Sequence, residues 1–132
     1  MDTAARGEWL GLDHVQLAAP AGCETAAREF FEGILGMREI SKPPVLAARG
    51  GAWFACGSTQ LHVGIDAQFS PAKKAHPGFR IATVRALDAL FEKLRARGTR
   101  VAWAAADEVP GQKRFHADDP WGNRLEFVAA TA

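Results

Sequence analysis

Apolar and polar residues alternate over residues 12–18: Leu12, His14 and Gln16 fall on one face of an extended segment, and Asp13, Val15 and Leu17 on the other. A period of two is the signature of a strand. Over residues 23–35 the period lengthens, with Ala27, Phe30, Phe31 and Ile34 at i, i+3, i+4 and i+7, one apolar stripe of a helix. Gly36 comes directly after and suits the left-handed conformation that ends many helices. Residues 37–40 read as a short strand. Lys42-Pro43-Pro44 then breaks regular structure, since proline has no N–H for a ladder. Two strand-like runs, 52–56 and 60–65, flank Gly57-Ser58-Thr59 and read as a hairpin. A polar loop, 66–78, follows.

The same order then restarts. Residues 79–84 read as a strand. Leu87, Leu90, Phe91 and Leu94 repeat the helical stripe, and Gly98 closes that helix as Gly36 closes the first. Residues 100–103 read as a strand, and an irregular acidic segment ends at Val109-Pro110-Gly111. A hairpin of 113–117 and 124–128 turns at Asp119-Pro120-Trp121-Gly122-Asn123, where proline and glycine make the turn. The expected fold is therefore α+β, with paired βαβββ modules over about 12–65 and 79–128 of one domain, 1–132. Gly36 and Gly98 lie 62 positions apart, and the last strands of the two halves about 64. A half of this size cannot bury both sheet faces, so the halves pack on each other or across a dimer.

Composition narrows the class. The 132 residues are 48% apolar and 23% charged, with 16 basic and 15 acidic side chains. A net charge of +1 creates no basic field, which excludes electrostatically driven nucleic-acid binding. No apolar run approaches the roughly 20 residues of a membrane span. The N-terminal stretch lacks the apolar core of a secretory signal, so a cytoplasmic protein is expected. Cys23 and Cys56 have no paired spacing, which argues against a disulfide framework and a cysteine-based zinc site.

Candidate chemistry comes from laying the second half on the first. His14 then pairs with Phe79, 65 positions later, and His62 with Glu126, 64 positions later. Three of these four positions are metal-ligand types on the less apolar faces of their strands. Two imidazoles and a carboxylate suit a divalent ion such as Zn, Ni, Mn or Fe. If Ala117 lies opposite Leu125, His116 faces Glu126 and becomes a candidate catalytic acid or base. A two-residue turn at Gly57-Ser58 sets Trp53 beside His62 as a wall of the substrate site. Arg49, Arg114 and Arg124 are candidates to hold an anionic substrate. No Gly-rich phosphate loop or nucleophile elbow occurs.

Three stretches carry a resemblance: Leu12-Asp13-His14-Val15-Gln16-Leu17, the helix end 30–37, and above all Asp119-Pro120-Trp121-Gly122-Asn123-Arg124-Leu125-Glu126-Phe127. Together they resemble the vicinal oxygen chelate superfamily of glyoxalase I, extradiol dioxygenases, fosfomycin-modifying transferases and bleomycin-binding proteins. The likeness runs from Leu12 to Val128. It implies paired modules whose curved sheets enclose a small-molecule pocket, usually in a homodimer that draws ligands from both chains. Residue by residue it puts His14 and Glu126 on ligand positions, His62 where glyoxalase I has a carboxylate, and Phe79 where most metal-dependent members have a histidine. Phe79 is then expected to line the substrate site, with Trp53 and Arg114. The direction of His76, three residues earlier, stays open. The expected function is a metal-dependent isomerase, lyase or group transferase, with His14, His62 and Glu126 holding the ion. The alternative is a metal-free protein that sequesters a small ligand.

Overall fold

The computed structural model describes residues 7–131; Met1–Arg6, where the N-terminal reading begins, lie outside the described residues. Two four-stranded mixed sheets carry the chain. In the first, β1 (His14–Ala19), β2 (Arg38–Ile40), β3 (Ala52–Cys56) and β4 (Thr59–Ile65) lie in the order β1-β4-β3-β2. In the second, β5 (Gly78–Arg80), β6 (Val101–Trp103), β7 (Gln112–Asp118) and β8 (Arg124–Ala130) repeat it as β5-β8-β7-β6. The outer pairs β1–β4 and β5–β8 are parallel and the rest antiparallel. The expected α+β fold of paired βαβββ modules is the observed one.

Each sheet buries one face under its own helix. In the first module α1 (Glu24–Ala27) continues into a π-helical turn, Arg28–Ile34, whose wider winding is fixed by Leu35 N–H donating to the Phe30 carbonyl at 2.9 Å. This segment still delivers Ala27, Phe30 and Phe31 to the core, as the apolar stripe requires. Gly36 ends it with φ of 76°, and Gly98 ends α3 (Val84–Ala96) with φ of 83°. Alternation along the strands sends Leu17, Ala19, Phe54, Leu61 and Val63 inward in one module, and Phe115, Ala117, Leu125, Phe127 and Ala129 in the other. These residues form a single apolar cluster.

Two expectations change in detail. The strand expected at 79–84 stops at Arg80, because Thr83 caps α3: its Oγ1 accepts the Ala86 N–H at 3.0 Å. Lys42-Pro43-Pro44 does end β2, but Pro44 also opens a one-turn helix, α2 (Pro44–Ala47), where its missing N–H has no cost. No helix among the described residues is long and apolar enough to cross a membrane.

The modules are joined at the β7–β8 turn. Asn123, 1% exposed, donates from Nδ2 to the Ala18 carbonyl of β1 and to Asp119 Oδ2, each at 2.8 Å. Its Oδ1 accepts the Ala72 N–H from the connecting loop at 2.9 Å. Asp119 Oδ1 in turn accepts the N–H groups of Trp121 and Asn123. One buried amide thus ties together the first sheet, the connection and the second hairpin.

Candidate functional site

The sheet faces turned away from the helices carry the polar side chains. On the first sheet β3–β4 pairing sets Trp53 opposite His62, and β1 places His14 beyond it. The three rings stack: Trp53 on His62 with centroids 3.8 Å apart and 2° between planes, His62 on His14 at 4.3 Å and 13°. This sandwich explains why His62, on an otherwise polar face, is 5% exposed. His62 Nε2 pairs with Gln60 Oε1 at 2.9 Å, and His14 Nδ1 with Asp13 Oδ2 at 3.0 Å. Burial, and then the neighbouring His14, hold the His62 imidazole below its ordinary pKa, so it is neutral at pH 7.

On the second sheet the hairpin register sets His116 opposite Glu126 and Arg114 opposite Val128. Glu126 Oε1 takes His76 Nε2 at 2.9 Å and His116 Nε2 at 3.3 Å, while Oε2 accepts Arg114 Nη1 at 3.1 Å. Arg114 is held from behind by Glu108 at 2.6 Å. Burial alone would raise the Glu126 pKa; hydrogen bonds from His76 and Arg114, with the Arg114 and His116 charges, outweigh it and bring the value below the ordinary one. His116 is shifted down chiefly by burial and then by Arg124, against the pull of Glu126. His76, His116 and Glu126 bring one ligand atom each within 4.8 Å of one another, and no other such group forms among the described residues.

The strand register revises the pairing of the halves. His62 pairs across its parallel ladder with Gln16, and Glu126 with Gly78. Gln16 therefore corresponds to Gly78, and the counterpart of His14 is His76, not Phe79. Phe79 faces the core side, with its ring 5.5 Å from that of Phe127. His14 and His62 stand together on one sheet. Glu126 stands with His76 and His116 on the other, so His14, His62 and Glu126 do not form one cluster within the chain. Sequence reasoning left His76 open, although the 62-residue offset of Gly36 and Gly98, applied to His14, lands on it. Glu108 had no signal at all, being one acid in an irregular segment.

Two modules of this topology, each with a histidine at or just before its outer strand and a ligand-type residue on the strand beside it, define the fold class. The sequence model of the Glyoxalase/Bleomycin resistance protein/Dioxygenase superfamily matches residues 11–127, and the chain belongs to that superfamily. A structure from Bacillus anthracis described as of the glyoxalase family is 42% identical, with a TM-score of 0.87, covering 96% of this chain and 99% of that one. A lactoylglutathione lyase from Agrobacterium tumefaciens shares the fold at 18% identity, with a TM-score of 0.71 over 93% of this chain and 96% of that one. The fosfomycin resistance protein FosX from Listeria monocytogenes does so at 19%, with a TM-score of 0.72 over 94% and 96%. No curated protein sequence matches the chain significantly.

Proposed function

We propose that this chain is a metal-dependent enzyme that isomerises, cleaves or transfers a group on a small oxygenated molecule, working as a cytoplasmic homodimer. The observation that carries the reading is the convergence of His76, His116 and Glu126 on one sheet face. Two imidazoles and a carboxylate are the donor set a divalent transition ion takes, so the residues fit the group the superfamily implies. Of the three, His76 and Glu126 would be ligands from one copy, with His14 and His62, their counterparts on the first sheet, from the other, and His116 would stand beside the ion for proton transfer. Support for pairing of copies comes from the N-terminal segment, where Trp9 is 88% exposed and Leu10 and Leu12 are bare beside His14. The cytoplasmic setting rests on two free thiols, Cys23 and Cys56.

A divalent ion bound there would polarise a substrate carbonyl or stabilise an enolate-like oxygen. The chain's own residues supply the rest. Arg114, anchored by Glu108, holds Glu126 Oε2 and leaves Oε1 to face the site. His116, neutral at pH 7, takes or returns a substrate proton. Trp53 gives the opposite sheet a flat wall.

A second reading, metal-free sequestration of an aromatic or polar ligand, has its own support: Glu126 already has three partners, His76 and His116 on Oε1 and Arg114 on Oε2. Thermal melts of metal-stripped protein with added Zn, Ni, Mn or Fe separate the two. A rise in Tm with one of them, lost in Glu126→Gln and His76→Ala, supports the enzyme, since a ligand binding only the folded state stabilises it. Unmoved melts with all four ions refute it. Shared sites predict complementation: His62→Ala mixed with Glu126→Gln regains about a quarter of the sites by random pairing of two-fold dimers. Absence of regain refutes sharing.

A further inference from the structure

Adjoining the His76–His116–Glu126 cluster, and sharing His116 with it, lies an open cavity of about 280 Å³, lined also by Lys73, Arg100, Asp118 and Arg124. Its charges do not balance. Asp118 is the one carboxylate in the lining, and it sits 3.8 Å from both Lys73 Nζ and Arg100 Nε, beyond hydrogen-bond reach. Arg124, although directly across the hairpin from Asp118, forms no ion pair among the described residues. Three cations, with Lys73 and Arg100 largely exposed and Arg124 half-buried, therefore share one acid. Of the three arginines that the sequence offers for an anion, Arg114 is consumed by Glu108 and Glu126, and Arg49 is exposed away from any cluster. Only Arg124 keeps its charge free, half-buried on the wall of a cavity.

We propose that this cavity is the subsite for a small oxyanion, a carboxylate or phosphonate group, and that the substrate is a molecule joining such a group to the oxygen that reacts at His116 and Glu126. The guanidinium groups of Arg124 and Arg100 present the planar forks that match carboxylate and phosphonate oxygens. The subsite and the reacting cluster share His116, whose Nε2 is 3.3 Å from Glu126 Oε1. Arg124 and Glu126 are two residues apart on one strand, which separates their stations by about 7 Å. The volume equals that of about nine waters at ~30 Å³ each, room enough for a small acid group. The choice of substrate rests on the enzyme reading above; binding of the anion does not.

The test uses metal-stripped wild-type protein, so that it stands apart from the metal reading. Inorganic phosphate, methylphosphonate and acetate are titrated by calorimetry at constant ionic strength, with chloride as the control. Binding of at least one of the three, weakened tenfold or more in Arg124→Gln and Arg100→Gln and retained in Glu126→Gln, supports the subsite. Methylphosphonate and phosphate binding without acetate would assign a tetrahedral group, and the reverse a carboxylate. No heat with any of the three, or equal binding by the arginine variants, overturns the inference. If anions bind while no divalent ion does, the metal reading fails and the subsite stands; if a metal binds and anions do not, the subsite alone fails.

Discussion

Replacing Asn123 by alanine removes three hydrogen bonds at the junction of the modules: those to the Ala18 carbonyl, to Asp119 Oδ2 and from the Ala72 N–H. The site is dry, with Asn123 1% and Asp119 5% exposed, so the abandoned groups find little water. A neutral buried hydrogen bond contributes about 1 kcal/mol net and one to a carboxylate about 1.5–3. The sum is about 4 kcal/mol, reduced to about 3 if Asp119 leans toward its remaining backbone donors. In a chain of this length 1 kcal/mol moves Tm by about 3–5 °C, so Asn123→Ala should melt about 10 °C lower. Calorimetry measures the drop, and hydrogen exchange localises it, because the Ala72 amide should exchange faster than the core amides of β8. Asn123→Asp keeps the acceptor for Ala72 but faces a carboxylate against Asp119 and the Ala18 carbonyl. At pH 7 it should be at least as destabilised as the alanine variant, and it should recover as acid neutralises one of the pair. A Tm for Asn123→Ala within 2 °C of wild type would refute the claim that this amide clips the modules together.

Three further outcomes follow from the packing. Glu24 accepts the Gly51 N–H at 2.6 Å, and that bond chiefly holds its pKa below the ordinary value; the stabilisation is present above pH ~4.3 and lost as pH falls through the lower folded value. Glu24→Gln should therefore cost about 1 kcal/mol at pH 7, with urea melts of the two proteins converging near pH 3 if the sign is right. Phe115, fully buried between Phe91, Trp103 and Phe127, should cost about 3–5 kcal/mol as alanine, read from the urea midpoint at an unchanged slope. Gly51→Ala should fail to accumulate as folded protein, because φ is +81° and a Cβ would collide with the Val63 carbonyl, which the β3–β4 ladder holds in place; a native-like circular dichroism melt would contradict this.

The fold was legible because period and punctuation agreed. Alternation at Leu17, Leu61 and Phe127 fixed which face of each strand goes inward, and Gly36 and Gly98 ended their helices where φ turns positive. Hairpin register was legible for the same reason: turns of known length at Gly57-Ser58 and 119–123 set Trp53 against His62 and His116 against Glu126. What period cannot give is the alignment of one module on the other. The connecting segments differ in length, so an offset measured on the last strands misplaces the first strands by a few residues. In a strand, an odd error also turns a side chain to the opposite face. That is how Phe79, which packs against the core, stood in for His76. The π-helical turn was hidden for a related reason, since Ala27, Phe30 and Phe31 reach the core from either kind of winding.

The residues that make this chain recognisable are not the ones that would choose its substrate. Asp119, Gly122 and Asn123 spend their polar groups on a turn and on the seam between modules: Asp119 is saturated by backbone and amide donors, and Gly122 supplies a φ of 94°. Any protein of this architecture needs that seam, whatever it binds, so the motif reports the fold and is silent on the reaction. Lys73, Arg100 and Glu108 lie outside that stretch and Arg124 within it, and together they set the charge around His116 and Glu126. Three of them lie in irregular segments, and Arg124 opens the second strand of the hairpin that Asn123 secures. A relative could therefore keep Asp119, Gly122 and Asn123 and change its ligand by exchanging these four side chains.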